Sequence, residues 1–186
     1  MEPTLDELIA RHFPEKEGAI RAYADFLKGA GIERGLIGPR EGDRIWERHI
    51  LNSLFDIGSG AGLPGIVIAL ARPDLKVTLI EPLERRVEFL KEATEGTDIQ
   101  VIRGRAQEVK KSADYVTARA VAALDKLKKM SWHMLKMNGS LLAMKGESAA
   151  KEMEAVPGSI LHEITLEGIG LGRVVELKKL PKVAPQ

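Results

Sequence analysis

The ten residues DIGSGAGLPG, 56–65, carry four glycines and a proline directly behind an apolar run. A backbone stripped of side chains at that density takes up turns that other residues resist and lets its N–H groups approach whatever lies beside it. When a strand ends in such a turn and a helix opens from it, those amides point into the crevice at the carboxyl edge of a parallel sheet. That is where α/β folds hold nucleotides. The stretch therefore demands a strand–turn–helix unit here, and an alternation of strands and helices after it.

The rest of the chain meets that demand. Thr4-Leu5-Asp6-Glu7 reads as a capping box opening a short helix. Pro14 is expected to open a second helix to about Lys28, stopped by Gly29 and Gly31. After the linker GLIGPREGD, a third helix is expected from Asp43 with an apolar stripe of Ile45, Trp46 and Ile50. From residue 54 short β-rich runs take over: LFDI, KVTLIE, IQVI, DYVTA and SLLAMK, separated by helix-like segments at about 64–71, 83–93, 105–110, 122–135 and 147–155. Such alternation predicts a parallel sheet covered on both faces. SILHEIT and GRVVELKK have only LEGIGL between them, too little for a crossover helix, so they should pair antiparallel. The expected fold is α/β, Rossmann-like, with a seven-stranded, mostly parallel sheet ending in an antiparallel hairpin, the arrangement of class I methyltransferases dependent on S-adenosylmethionine (SAM). The expected organisation is an N-terminal helical extension over 1–53 and a methyltransferase domain over 54–186.

The glycines admit two registers. Gly58, Gly60 and Gly62, with Asp56 closing the strand, have the spacing of a SAM site in which Ser59 and Leu63 complete the turn. Gly60, Gly62 and Gly65 also satisfy the dinucleotide fingerprint. The second register begins two residues beyond the natural end of the strand, and Asp56 would interrupt an apolar run. The first register is preferred, with a nicotinamide oxidoreductase as the alternative. Glu81 closes the next strand and can accept both ribose hydroxyls in either case.

Composition narrows the chemistry. The absence of cysteine removes thiolate nucleophiles, disulfides, thiolate zinc sites and iron–sulfur clusters, and fits a reducing cytoplasm. The four histidines are scattered, so no metal is expected. No apolar run approaches the roughly 18 residues that a membrane span requires, and the N-terminus carries carboxylates where a signal peptide carries cations. A cytoplasmic monomer with no membrane contact is the expectation. Net charge is only +1, yet residues 103–136 hold nine Lys/Arg against three Asp/Glu, an asymmetry suited to a polyanion.

Four stretches resemble the bacterial RsmG (GidB) family, the 16S rRNA guanine-N7 methyltransferases, and look closest to its actinobacterial members. They are RIWERHILNSL, DIGSGAGLPGIVIALARPDLKVTLIEPLERRVEFLKE, RGRAQE, and TARAVAALDKL followed by LLAMKGE. The resemblance implies SAM as cofactor and 16S rRNA, free or in the small ribosomal subunit, as partner. It carries cofactor contacts onto Gly58 and Leu63 in the turn, onto Ala106 and Gln107 after the third strand, and onto Arg119 in TARA at the mouth shared with substrate. Gln107 stands where an acid is often found, and its amide oxygen can still accept from an adenine amino group.

The residues are compatible with that reaction. Cysteine-dependent carbon methylation is excluded, and TARAV stands where exocyclic-amine methylation typically uses an (N/D)PP(Y/F) turn. Guanine N7 presents an in-plane lone pair and has no proton to lose, so no general base is expected. Arg119 is the expected positioning residue, able to pair with guanine O6/N7 or with a carboxylate. Lys145, at the end of the fifth strand, and Arg44 with Arg48, four apart on one helix, are the expected RNA contacts; Lys126, Lys128, Lys129 and Lys136 would extend them as a phosphate-tracking surface. A non-catalytic RNA-binding module on the same fold is the remaining alternative. One junction looks too short: a helix ending near Leu54 cannot reverse into a buried strand at Phe55 without connecting residues, so residues are expected to be missing there.

Overall fold

The computed structural model describes residues 4–38, 42, 45, 56–72, 75–168 and 170–181. The third N-terminal helix and the 54–55 junction lie outside the described residues, apart from Ile45, which is helical and buried.

Helix α1 (Leu5–His12) opens as its sequence requires. The Glu7 amide donates to Thr4 Oγ1 at 3.3 Å and the Thr4 amide to Glu7 Oε2 at 2.7 Å, closing the reciprocal cap. Helix α2 (Glu17–Phe26) departs from expectation at both ends. Pro14 lies in the turn before it, and the helical path continues through Gly29 and Gly31 as a π turn, Leu27–Gly31. Gly31 does not stop the helix because it is buried, where an added Cβ would meet Leu27 and Ile37; packing overrides propensity there.

The remaining elements are α3 (Gly65–Ala71), β1 (Thr78–Glu81), α4 (Glu84–Ala93), β2 (Gln100–Arg103), β3 (Ala113–Arg119), α5 (Leu124–Ser131), β4 (Leu135–Lys145), α6 (Ala149–Glu154), β5 (Ile160–Leu166) and β6 (Gly170–Lys178). Single 3₁₀ turns occupy Ala106–Glu108 and Trp132–Met134. β1 and β2 pair parallel, as do β3 and β4, whereas β6 pairs antiparallel with both β4 and β5. The described residues thus form a two-stranded sheet, β1-β2, and a four-stranded sheet, β3-β4-β6-β5. Six strands are seen where seven were expected. The run expected at 54–57 is represented by Ile57 alone, which bridges in parallel to Ile80 on one side and Ala118 on the other.

Side chains alternate across a strand, and on β1 that alternation divides two cores. Val77 and Leu79 join a cluster with Ile20, Leu27, Ile66 and Phe89, so the N-terminal helices share their core with α3 and α4. Ile80 faces the other way, into a cluster with Ile57, Val116, Leu124, Leu127 and Leu141 beneath α5. Both faces of the parallel strands are therefore covered, which is why Leu79 and Ile80, on opposite faces of β1, are both buried and apolar. Helix α3 approaches β1 so closely that a Cβ on Gly65 would lie 2.2 Å from Leu79 Cδ2; only glycine fits there.

The connection from β3 to α5 is braced from α6. Glu152 accepts from the Leu124 amide at 2.8 Å and from Ser148 Oγ at 2.9 Å, and pairs with Lys145 at 2.8 Å. Burial alone would raise its carboxyl pKa, but the hydrogen bonds from Lys145, Ser148 and the Leu124 amide outweigh it and hold the group below its ordinary value. A carboxyl depressed on folding stabilises the native state above its unfolded pKa, and that stabilisation is lost as pH falls through the lower folded value. Urea midpoints measured from neutral to acid pH should therefore fall more steeply for the native chain than for Glu152→Gln, the difference opening below the ordinary glutamate range. Phe89, fully buried and stacked on Phe26 at 4.8 Å, offers a second check. Phe89→Ala should cost about 3–5 kcal/mol in urea unfolding, whereas Leu180→Ala, at a side chain 64% exposed, should stay within about 0.5 kcal/mol.

Candidate functional site

Parallel pairing brings the strand ends into one row. Glu81 stands opposite Arg103, Ile57 lies between Ile80 and Ala118, and Arg119 stands opposite Met144 with Lys145 next along β4. The turn between Ile57 and α3 therefore opens at the carboxyl edge, flanked by the ends of β1 and β3. The Gly58 and Ser59 amides donate to the Ile80 carbonyl at 2.9 and 3.2 Å, which makes the turn a continuation of the sheet. It then folds back on itself, with the Gly62 amide on the Ser59 carbonyl at 2.7 Å, and the Ile66 amide on the Gly62 carbonyl starts α3. Gly62 has φ +87°, and a Cβ there would lie 2.3 Å from Ile66 Cδ1 and 2.7 Å from Tyr23 Oη, so no other residue could occupy the position.

Two acids define the electrostatics. Glu81 is buried, and its two oxygens accept from the Gly60 amide at 2.9 Å and the Leu83 amide at 3.0 Å, with Arg86 at 3.8 Å. Asp56 is buried too, but neither carboxylate oxygen has a hydrogen-bond partner among the described residues; Ser59 Oγ goes to the Asp56 backbone carbonyl, at 3.4 Å. Burial pushes the Asp56 carboxyl well above the usual carboxylate range, Ser59, the Arg119 guanidinium and the nearby Gly65 amide pull it back, and Glu81 adds to the rise. The turn is drawn in. Across 56–65 only Gly58 and Gly60 reach solvent, while Pro82, Leu83, Gln107 and Ala120 are exposed. An unpartnered buried carboxylate beside part-exposed turn glycines suits a ligand that brings its own cationic donor.

Most residues singled out in the sequence lie on this edge. Asp56, Gly58, Ser59, Gly60, Gly62 and Leu63 form the turn, and Glu81 caps it. Ala106 is buried and Gln107 exposed in the 3₁₀ turn after β2. Arg119 ends β3, half-buried, with its charge acting on both Asp56 and Tyr23. Lys145 is engaged differently from expectation: its ammonium donates to the Ala122 carbonyl at 2.6 Å and pairs with Glu152, which leaves it only 10% exposed. Arg44 and Arg48 lie outside the described residues. The basic surface is divided. Lys126 and Lys129 are exposed on α5, Lys128 lies 5.1 Å over the half-buried Trp132, and Lys136 pairs with Asp114 at the opposite, amino-terminal end of β3 and β4. Among the described residues no group of three or more histidines, aspartates or glutamates could hold a metal ion, and no helix is long and apolar enough to cross a membrane.

Sequence reasoning missed two residues. Leu83 is 54% exposed immediately after the Glu81 cap, and a large apolar residue directly after a strand-ending acid was a signal available in the sequence. Tyr23, on α2, donates its hydroxyl to the Ala61 carbonyl in the turn. Nothing local could have announced a contact across 38 positions.

Comparison with known proteins agrees with this geometry. Residues 16–167 match the family described as rRNA small subunit methyltransferase G. The protein named Ribosomal RNA small subunit methyltransferase G of Mycolicibacterium gilvum is 52% identical over 191 residues, covering 92% of this chain and 82% of that protein. The protein of the same name from Mycolicibacterium smegmatis is 49% identical, with 90% and 77% covered. The first alignment runs over 191 positions but takes in only 92% of 186 residues, so about 20 positions of the relative face gaps in this chain. Among solved structures, a methyltransferase from Pyrococcus furiosus superposes with a TM-score of 0.56 at 15% identity, covering 91% of this chain and all of that one. A precorrin-6y C5,15-methyltransferase from Geobacter metallireducens gives 0.51 at 12%, covering 77% and 90%. These likenesses establish an α/β methyltransferase fold. With the family matched across most of its length, the chain belongs to the rRNA small subunit methyltransferase G family, the RsmG (GidB) family that its glycine-rich turn and TARA stretch resemble.

Proposed function

We propose that this chain is a SAM-dependent methyltransferase acting on N7 of a guanine in 16S rRNA, as a monomer in the cytoplasm. The observation that carries the reading is the pairing of an unpartnered buried acid, Asp56, with the part-exposed, side-chain-free backbone of Gly58 and Gly60 at the carboxyl edge. Bound there, SAM supplies a methyl group on a positively charged sulfur, open to in-line attack. Asp56 accepts from the cationic amino group of the cofactor and thereby gains the partner it lacks. Glu81 would accept from the ribose hydroxyls in place of the Gly60 and Leu83 amides it holds. Leu83 flanks the base, with Ala106 and Gln107 at its edge. Ser59, Gly62 and Leu63 hold the turn in shape. The complete sheet has the seven strands of its class, and residues 1–53 and 54–186 act as helical extension and methyltransferase domain.

For guanine N7 the protein needs to align rather than deprotonate. Arg119, at the end of β3 and within the field of Asp56, orients the guanine through O6 and N7. Arg44 and Arg48 approach the RNA backbone, and the exposed Lys126 and Lys129 add phosphate attraction. Lys145 serves chiefly by holding the 119–123 loop through Ala122 and Glu152, and reaches phosphate only if that pair opens.

Calorimetric titration with SAM should give saturable binding by the native chain and none by Gly58→Asp, whose carboxylate would enter the turn beside Val121. Binding of NAD(H) without SAM would overturn the reading in favour of an oxidoreductase. With small-subunit RNA and SAM, mass spectrometry should map one N7-methylated guanine. Arg119→Ala should lower turnover about a hundredfold. RNA binding without any methyl transfer would leave a non-catalytic module instead.

A further inference from the structure

Of the two tyrosines in the chain, Tyr115 is exposed, whereas Tyr23 is buried on α2 among Ile20, Ala24 and Leu27. A phenol is seldom buried without a partner for its hydroxyl. Here the partner is the Ala61 backbone carbonyl, between Gly60 and Gly62. The Tyr23 hydroxyl oxygen also occupies the space beside Gly62, where a Cβ would come within 2.7 Å of it. The ring is thus matched to the bare backbone at Gly62 as well as bonded to Ala61. Burial and the charge of Asp56 raise the phenol pKa well above its ordinary value, and Arg119 lowers it, so Tyr23 stays a neutral donor within the field of the two site residues.

We propose that Tyr23 is a positioning residue for the cofactor-binding turn: by holding Ala61 and Gly62 from α2, it sets the shape in which Gly58 and Gly60 face the cofactor. The inference rests on the reading of that turn as the SAM site. It makes the N-terminal helices part of the cofactor site, although none of their described residues comes from the glycine motif. Removing the hydroxyl leaves a buried carbonyl without its donor and frees the turn to relax, while the ring still fills its place.

The full-length chain carrying Tyr23→Phe tests this directly. By calorimetry its Kd for SAM should rise about tenfold, the equivalent of one lost hydrogen bond that leaves a buried acceptor unpaired. The KM for SAM should rise in step, while the KM for small-subunit RNA stays within about twofold. Phe26→Leu, three residues along the same helix and packed on Phe89 rather than on the turn, is the control for general loosening. It should lower the melting temperature yet leave the Kd for SAM within about twofold. Wild-type affinity in Tyr23→Phe overturns the proposal, as does an equal rise in Kd for Phe26→Leu. If the native chain itself fails to bind SAM, the reading of the turn falls first and this inference with it. Binding by the native chain with no change in Tyr23→Phe removes the inference alone.

Discussion

Among the described residues, the two halves of the sheet meet through Ile57. Its parallel bridges to Ile80 and Ala118 set β1 and β3 one strand's width apart on either side of the chain that enters the glycine turn. Everything at the carboxyl edge follows from that spacing. The Gly58 and Ser59 amides reach the Ile80 carbonyl because Ile57 is in register with Ile80. The Gly60 amide then falls within reach of Glu81, one residue further along β1. On the other flank, Arg119 follows Ala118 and brings its charge to bear on Asp56. A shift of one residue at Ile57 would turn its side chain out of the α5 core and break both sets of contacts together.

The contrast between the two acids gives the edge its chemical character. A buried carboxylate is costly unless it is paired or hydrogen-bonded. Glu81 meets that condition with two backbone amides, so it holds the turn closed without a ligand. Asp56 does not meet it, and burial accordingly drives its carboxyl toward the neutral form. A ligand with a cationic group would reverse that shift and recover the desolvation cost, while a ligand with hydroxyls must compete with the amides at Glu81. The site therefore favours a molecule carrying both groups at the right separation, and resists one that carries hydroxyls alone.

Local chemistry was readable wherever it was decided locally. The Thr4–Glu7 cap, the strand–helix alternation from 76 onward and the hairpin of β5 and β6 each depend on a few adjacent residues, and each is present in the structure. Gly29 and Gly31 misled because helix propensity amounts to about 1 kcal/mol per glycine and the burial of Gly31 outweighs it. Lys145 looked like a solvent-facing cation because its acid, Glu152, is supplied by the following helix. Tyr23 was unreadable for the same reason at longer range. The glycine turn, by contrast, identified most of the candidate site, since Asp56 through Leu63 and Glu81 are fixed by one strand–turn–helix unit and the strand beside it.

The division at residue 53 separates sequence styles but not cores. Ile20, Tyr23 and Leu27 from the helical part share a cluster with Ala61, Leu63, Ile66 and Leu79 from the sheet part. That cluster contains two members of the glycine-rich turn itself. An N-terminal segment that merely decorated the enzyme would leave α3 with an exposed apolar face, and Ile66 and Val67 are nearly fully buried. The helices are thus needed to dry the inner side of the turn, and the hydroxyl of Tyr23 adds direction to what is otherwise a nonspecific apolar contact.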